Sequence, residues 1–416
     1  MDKIIVPSAV KGEVHAPSSK SMTQRAIAAA LLSEGETTVI NPSGCDDSLD
    51  AMNIAVALGA EIQTGSNKLI IRGAGGLKGK NLHCGESGLA IRMFSPIAAL
   101  YSEEIIMTGS GSLKKRPMSM IEDALRQFGV TCKSEGGFIP LTIKGPLKGG
   151  KCEIDGSVSS QLLTGLLMAL PVIAADSEIN VKNLKSKPYI DMTLQVLNKF
   201  GIKVQNKDYY LFTVKGNQKY RAGNFEVESD WSGGAYLLAA GAVNGEVTVH
   251  GLRPDSRQSD KAILTVLDSA GARMSIKDNS ISISKSALKS FGFDATESPD
   301  LFPPLVALAS YCKGISVIKG VSRLIYKESD RANALREEFG KLNIKVELKG
   351  DTMLITGGEV RGARIDSHND HRIAMAAAVA ALRASDRVII QGSQCVAKSY
   401  PAFFDDLKQI GVLVYE

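Results

Sequence analysis

Leu58-Gly59-Ala60, Phe128-Gly129-Val130, Phe200-Gly201-Ile202, Ala270-Gly271-Ala272, Leu342-Asn343-Ile344 and Ile410-Gly411-Val412 are one phrase written six times. Each ends an amphipathic helix on an apolar residue, passes through glycine or asparagine, and opens a β-hairpin. A left-handed helix C-cap needs a residue that tolerates positive φ, so the single asparagine obeys the same physics as the five glycines. Successive cap positions are 70, 72, 70, 72 and 68 residues apart.

A second marker runs in phase with the first. Gly12, Gly79, Gly150, Gly223, Gly292 and Gly362 are spaced by 67, 71, 73, 69 and 70 residues, and each is read as lying a few residues before a short strand. A polar loop follows, then a helix of small apolar residues such as Arg25-Ala26-Ile27-Ala28-Ala29-Ala30 or Ile373-Ala374-Met375-Ala376-Ala377-Ala378. Next come strands such as Thr37–Ile40, Glu246–Val249 and Arg387–Ile390. Each repeat therefore reads strand, helix, strand, helix, hairpin. Six repeats fill the 416 residues, but the last stops at Val412–Tyr415, half a hairpin short. The opening strand Lys3-Ile4-Ile5-Val6 is the expected partner. An α/β chain of two similar domains, three repeats each, follows: residues 1–18 and 229–416 form one and 19–228 the other.

Composition narrows the function classes. The chain is 44% hydrophobic and 22% charged, which excludes disorder and fibrous repeats. A net charge of +5, thinly spread, is too mild for wrapping nucleic acid and suits anionic small molecules. The longest apolar run, Ile373–Leu382, is half of the ~20 residues that a membrane span needs. The start, Met1–Pro7, has too short an apolar run for a signal peptide. Six scattered cysteines without a CxxC pair fit reduced thiols. A soluble cytoplasmic monomer is the expectation.

The period fixes where the polar loops fall: each feeds the N-terminus of a small-residue helix. They read Ser18-Ser19-Lys20-Ser21, Gly85-Glu86-Ser87-Gly88, Ser157-Val158-Ser159-Ser160-Gln161, Ser229-Asp230-Trp231-Ser232-Gly233, Glu297-Ser298-Pro299-Asp300 and Ser367-His368-Asn369-Asp370-His371-Arg372. Ser, Asp and Gly there are ordinary N-caps, yet helix N-termini also bind phosphate and carboxylate. Lys20, Arg25, Arg92 and Arg372 fall at these starts. The second helices open with Lys114-Lys115-Arg116-Pro117, Ser186-Lys187-Pro188-Tyr189, Lys327-Glu328-Ser329-Asp330-Arg331 and Ala397-Lys398-Ser399-Tyr400-Pro401. Cations oppose the positive end of the helix dipole, so this repetition implies a bound anion among them. Asp300 and Glu328, set among the cations, are each at positions common to structural carboxylates, yet a proton donor and a proton acceptor are what acid–base chemistry on a bound anion requires. No GxxxxGK[ST] motif occurs, and His368-x-x-His371 lacks the HExxH or cysteine partners of a zinc site, so no metal is expected.

In order along the chain, Lys20-Ser21-Met22-Thr23-Gln24-Arg25, Ser159-Ser160-Gln161, Ser186-Lys187-Pro188-Tyr189-Ile190-Asp191, Lys327-Glu328-Ser329-Asp330-Arg331, Asn369-Asp370-His371-Arg372-Ile373-Ala374-Met375 and Ala397-Lys398-Ser399-Tyr400-Pro401 resemble the 5-enolpyruvylshikimate-3-phosphate synthase family. The resemblance implies the enolpyruvyl transferase fold: two domains, each of three βαβαββ repeats, with the active site in the interdomain cleft. It also implies transfer of the enolpyruvyl group of phosphoenolpyruvate to the 5-hydroxyl of shikimate 3-phosphate, without metal or organic cofactor. These small molecules are then the partners, with neither nucleic acid nor membrane involved.

By that resemblance Lys20 touches both substrates. Ser21, Arg25, Ser159, Ser160, Ser186, Tyr189, Arg323 and Lys327 bind shikimate 3-phosphate, and Gln161 reaches between the two. Gly88, Arg116, Arg331, Arg372 and Lys398 hold phosphoenolpyruvate. Asp300 accepts the proton of the 5-hydroxyl, and Glu328 protonates the methylene carbon. The loop Gly85-Glu86-Ser87-Gly88-Leu89-Ala90-Ile91-Arg92 departs from the family's frequent GNAGTAMR, with Glu86 for an amide and Leu89 for a threonine. Affinity for phosphoenolpyruvate and the response to glyphosate therefore do not follow from the motif. Two alternatives share some of these features: an enolpyruvyl transferase acting on UDP-N-acetylglucosamine, and a non-catalytic clamp for phosphate or nucleic acid. The first usually carries a cysteine in the loop that here reads Gly109–Pro117; the second leaves Asp300 and Glu328 unexplained.

Overall fold

The computed structural model describes residues 1–73 and 75–416. The chain forms two compact units, Met1–Pro17 with Glu228–Glu416, and Ser18–Val227. Among the described residues each unit holds three four-stranded sheets of one topology. In Gly150–Asp155, Ser177–Lys182, Leu211–Val214 and Val204–Lys207, the first pair is parallel and the other two pairs are antiparallel. A small-residue helix links the parallel strands, since a parallel pair requires a crossover. The closing hairpin is antiparallel and short, as the repeated glycine phrase predicts.

All six cap positions adopt positive φ: 115° at Gly59, 75° at Gly129, 82° at Gly201, 78° at Gly271, 67° at Asn343 and 94° at Gly411. The second marker is less uniform. Gly12 lies inside the strand Val10–His15, and Gly150 and Gly292 are the first residues of theirs, so they do not all precede the strand.

The N-terminal strand Asp2–Val6 completes the last sheet. It pairs antiparallel with Leu413–Tyr415, Ile5 opposite Val414, and with Val388–Gln391, Ile4 opposite Ile389. Two repeats depart from the simple reading, because their first strands are exchanged. Val10–His15 precedes the helix Lys20–Leu31 but pairs with Gly245–His250, whereas Asn224–Glu226 precedes the helix Trp231–Asn244 but pairs with Glu36–Ile40. The chain passes from one unit to the other in the loop after each of these strands, so each strand stays in a sheet of the unit that the chain is about to leave.

The core of Ser18–Val227 is built on the helices Lys20–Leu31, Gly88–Ala98 and Gln161–Ala169, whose side chains are buried on almost every face. A helix apolar all round belongs inside a core. Small residues allow close approach: a Cβ on Gly165 would lie 2.6 Å from the carbonyl oxygen of Met93. Trp231–Asn244, Phe302–Ala309 and His371–Ala381 are the corresponding helices of the other unit. The second helices bury one face only; in Ser119–Gln127 that face is Ile121, Ala124 and Leu125. All six cysteines are free and buried, and no helix among the described residues is long and apolar enough to cross a membrane.

Candidate active site

Four of the polar loops cap their helices as their sequences suggest. Ser19 accepts from the Met22 N–H, Ser87 from Ala90, Asp230 from Ser232 and Gly233, and Asp370 from Arg372. The functional side chains flank these caps in three groups, two in Ser18–Val227 and one in the other unit.

In Ser18–Val227, Lys20 is the first residue of its helix, and its Nζ lies 2.9 Å from Asp47 Oδ2. One turn on, Arg25 is buried. Its Nε donates to Thr193 Oγ1 at 3.0 Å, Nη1 to the Ser21 carbonyl at 2.8 Å and Nη2 to the Tyr189 carbonyl at 3.3 Å. Burial pushes its guanidinium down to about 10, partly opposed by Tyr189. Ser186 precedes the helix Lys187–Lys199 in a left-handed conformation, φ 59°, and its carbonyl accepts from the Tyr189 N–H. Lys20, Ser21, Arg25, Ser186 and Tyr189 are thus joined through two helix starts.

A second group in this unit centres on Gly88. A Cβ there would come within 2.6 Å of Arg116 Nη1, 2.9 Å of Arg92 Nη1 and 3.5 Å of Gln161 Oε1. Arg92 Nη1 donates to Gln161 Oε1 at 2.9 Å, and Ser159 Oγ accepts from the Gln161 N–H at 3.1 Å. Ser160 is buried beside them at the helix N-cap.

In the other unit the cluster is an ion network. Asp300 Oδ1 accepts from Arg331 Nη1 at 2.9 Å and Lys327 Nζ at 3.2 Å, and Oδ2 from Arg372 Nη2 at 3.1 Å. Arg331, with its side chain fully shielded from solvent, also donates to Glu328 Oε2 at 2.6 Å and to both oxygens of Asp370. Burial pushes the Asp300 carboxyl up, but Arg372, Lys327 and Arg331 outweigh it and hold the group well below the usual carboxylate range. Lys327 is shifted down, by burial first, with Arg323 and Arg331 adding to the effect against the pull of Asp300. Lys398 Nζ donates to the Asn369 carbonyl at 2.7 Å, one residue before Asp370. Asp300, Arg323, Lys327, Glu328, Arg331, Arg372 and Lys398 therefore share one neighbourhood.

The profile of the family described as EPSP synthase (3-phosphoshikimate 1-carboxyvinyltransferase) matches residues 5–407. The chain belongs to the EPSP synthase family. A protein of Clostridium kluyveri named 3-phosphoshikimate 1-carboxyvinyltransferase is 39% identical over 411 residues, covering 98% of this chain and 96% of the relative. One of that name from Methanocorpusculum labreanum is 38% identical, with 99% of each chain covered. Among solved structures, the EPSP synthase of Acinetobacter baumannii superposes with a TM-score of 0.83 at 27% identity, with both chains fully covered. The enolpyruvyl transferase NikO of Streptomyces tendae, 16% identical with 100% and 98% coverage, shares the fold at a TM-score of 0.81.

Against this family background, three expectations need correction. Arg116 and Lys398 do not open α-helices. They end the 3₁₀ turns Gly111–Lys115 and Ser393–Lys398, because Pro117 and Pro401 delay the helix and Pro117 forces Arg116 into an extended conformation. Arg92 is the fifth residue of its helix rather than its start. The anion inferred among the cations is in part built in, since Asp370, Glu328 and Asp300 surround Arg331, and Asp47 meets Lys20. His368 turns to Glu338, its Nε2 2.7 Å from Oε1, while Glu338 also takes Lys341 at 2.8 Å. His371 instead begins the helix His371–Ala381. Nothing in the sequence marks Asp47 or Asp260; it shows Asp370 only as part of a capping loop, and Arg92 only as one of the cations at the helix starts. Burial, then Asp300, pushes the Asp260 carboxyl up, which places it close to the network. Asp370 carried a legible signal as an N-cap two residues before Arg372; the partner of Lys20 did not.

Proposed function

We propose that this EPSP synthase family member transfers the enolpyruvyl group of phosphoenolpyruvate to the 5-hydroxyl of shikimate 3-phosphate and releases phosphate. The observation that carries the reading is the Asp300 network: one carboxylate bonded to Arg331, Arg372 and Lys327, with a second, Glu328, on the same Arg331. Both substrates carry phosphate and carboxylate groups, so bringing them together requires dense positive charge. Acid–base chemistry on them requires carboxylates in the same place.

In this reading Lys20, Ser21, Arg25, Ser159, Ser160, Gln161, Ser186, Tyr189, Arg323 and Lys327 hold shikimate 3-phosphate. Lys20, Gly88, Arg116, Gln161, Arg331, Arg372 and Lys398 hold phosphoenolpyruvate. Cations that turn from Asp300 to substrate anions return basicity to its carboxylate, which then takes the proton of the 5-hydroxyl. The oxygen bonds to C2, and Glu328 delivers a proton to C3, giving a tetrahedral intermediate. Loss of a C3 proton and cleavage of the C2–O bond to phosphate restore the enol ether. Positioning of this kind supplies about 7–11 kcal/mol of barrier reduction. Arg116 and Lys398 neutralise the leaving phosphate.

Phosphate release is the test. It should require both phosphoenolpyruvate and shikimate 3-phosphate, and UDP-N-acetylglucosamine should not replace the acceptor. No turnover with the pair, together with salt-sensitive binding of nucleic acid, would overturn the reading. Lys20→Ala should weaken both substrates in calorimetry; unchanged binding of each removes its shared role.

A further inference from the structure

Glu86 stands where the family frequently has an amide, and its carboxylate is built into the local geometry. Its Oε2 accepts the Ser112 N–H at 2.9 Å. The neighbouring Gly111 has φ 49°, and a Cβ at that position would run into the Glu86 carboxyl group. The same two segments are tied again by Ser110, whose N–H donates to the Gly85 carbonyl at 2.7 Å. Ser112 passes the constraint on: its Oγ accepts from Arg116 Nη2 at 3.1 Å, while Arg116 Nη1 lies against Gly88.

From this chain of contacts we infer that Glu86 is a positioning residue for phosphoenolpyruvate, fixing the Gly111–Lys115 turn and, through Ser112, the guanidinium of Arg116. The inference rests on the proposed assignment of Arg116 to that substrate. A carboxylate accepts a backbone N–H more strongly than a neutral amide does, so the turn is held firmly. The same negative charge opposes an incoming anion. Geometry and charge therefore pull in opposite directions, and they separate on substitution. Glu86→Ala loses the acceptor, whereas Glu86→Gln keeps an oxygen for the Ser112 N–H and removes the charge.

Steady-state kinetics of both variants, each substrate varied in turn, is the experiment. Glu86→Ala should raise KM for phosphoenolpyruvate about 10- to 100-fold, the scale of one lost charged hydrogen bond. KM for shikimate 3-phosphate should stay within about twofold, and Glu86→Gln should return the phosphoenolpyruvate KM to the wild-type value or below. An unchanged phosphoenolpyruvate KM in Glu86→Ala, a parallel rise for both substrates, or failure of Glu86→Gln to recover would each overturn the inference. A crystal structure of Glu86→Ala reads the geometry independently of turnover: Arg116 should have left Ser112, and an undisturbed Arg116 refutes the linkage. Wild-type protein inactive with both substrates would instead count against the proposed function.

Discussion

Asp370 grips Arg331 with both carboxylate oxygens, Oδ2 to Nε at 3.0 Å and Oδ1 to Nη2 at 3.2 Å, while its Oδ1 also caps the helix His371–Ala381 through the Arg372 N–H at 2.9 Å. One side chain thus fixes the orientation of a fully buried guanidinium and the start of the helix that carries Arg372. Burial pushes the Arg331 guanidinium down, and Asp370, then Glu328 and Asp300, more than reverse that and hold it above the usual arginine value. Removing one partner of such a group leaves buried charge uncompensated, at a cost of about 3–5 kcal/mol. Asp370→Ala should lower stability on that scale in urea denaturation, with loss of the cap included. A loss below about 1 kcal/mol would mean that Asp300 and Glu328 suffice for Arg331.

Glu328 tests the acid role. Its Oε2 rests 2.6 Å from Arg331 Nη2, so substitution by glutamine preserves an acceptor for that arginine and removes the transferable proton. Glu328→Gln should retain shikimate 3-phosphate binding in calorimetry while turnover drops by about two to four orders of magnitude. Turnover equal to wild type would remove the residue from proton transfer.

Asp50 gives a stability prediction with a definite sign. Burial first, then the nearby Asp47, pushes its carboxyl from 3.8 up to about 6. The folded chain therefore binds a proton that the unfolded chain has released between those two values. Stability falls as pH rises through that window, and the full penalty is present above it. Asp50→Asn should be more stable than wild type at pH near 7.5, with the gain shrinking below pH 6 and gone by about pH 4. Because Asp50 is part-exposed, solvent screening limits the gain to about 1 kcal/mol, or about 2–4 °C in Tm for a unit of this size. Scanning fluorimetry across pH reads it; a variant less stable at neutral pH contradicts the sign.

The repeat was legible because helix caps obey strict backbone rules: Gly59 and Asn343 differ in side chain yet both reach positive φ. Pairing of Asp2–Val6 with Leu413–Tyr415 was legible from an unfinished hairpin. The exchange of Val10–His15 and Asn224–Glu226 between sheets was hidden, since both strands satisfy the local pattern and only their partners differ. Side-chain partners were harder still. Nothing in the helix Asp46–Ala57 marks Asp47, rather than its neighbours, as the group that meets Lys20, because the meeting depends on how two helices pack. Asp300 and Glu328 stand out in the sequence by type and context, but their common bond to Arg331 is a property of the folded unit.

Gly88 shows how little room the proposed phosphoenolpyruvate residues leave. It is the first residue of the helix Gly88–Ala98, and its missing side chain is what lets Arg116 Nη1 and Arg92 Nη1 approach. A methyl group there would stand 2.6 Å from the first and 2.9 Å from the second, closer than nitrogen and carbon tolerate. Its own φ is not positive, so alanine meets no backbone strain and the whole effect falls on the two guanidinium groups. Both are side-chain ends and can swing away, so the protein should fold with little loss of stability. Gly88→Ala should therefore raise KM for phosphoenolpyruvate about tenfold or more, the scale of one displaced charged contact, while KM for shikimate 3-phosphate changes little. Arg92 also holds Gln161 at 2.9 Å, so a displaced Arg92 would disturb the residue assigned to both substrates. Equal increases in both KM values would point to that route rather than to Arg116, and unchanged kinetics would separate Gly88 from substrate binding altogether.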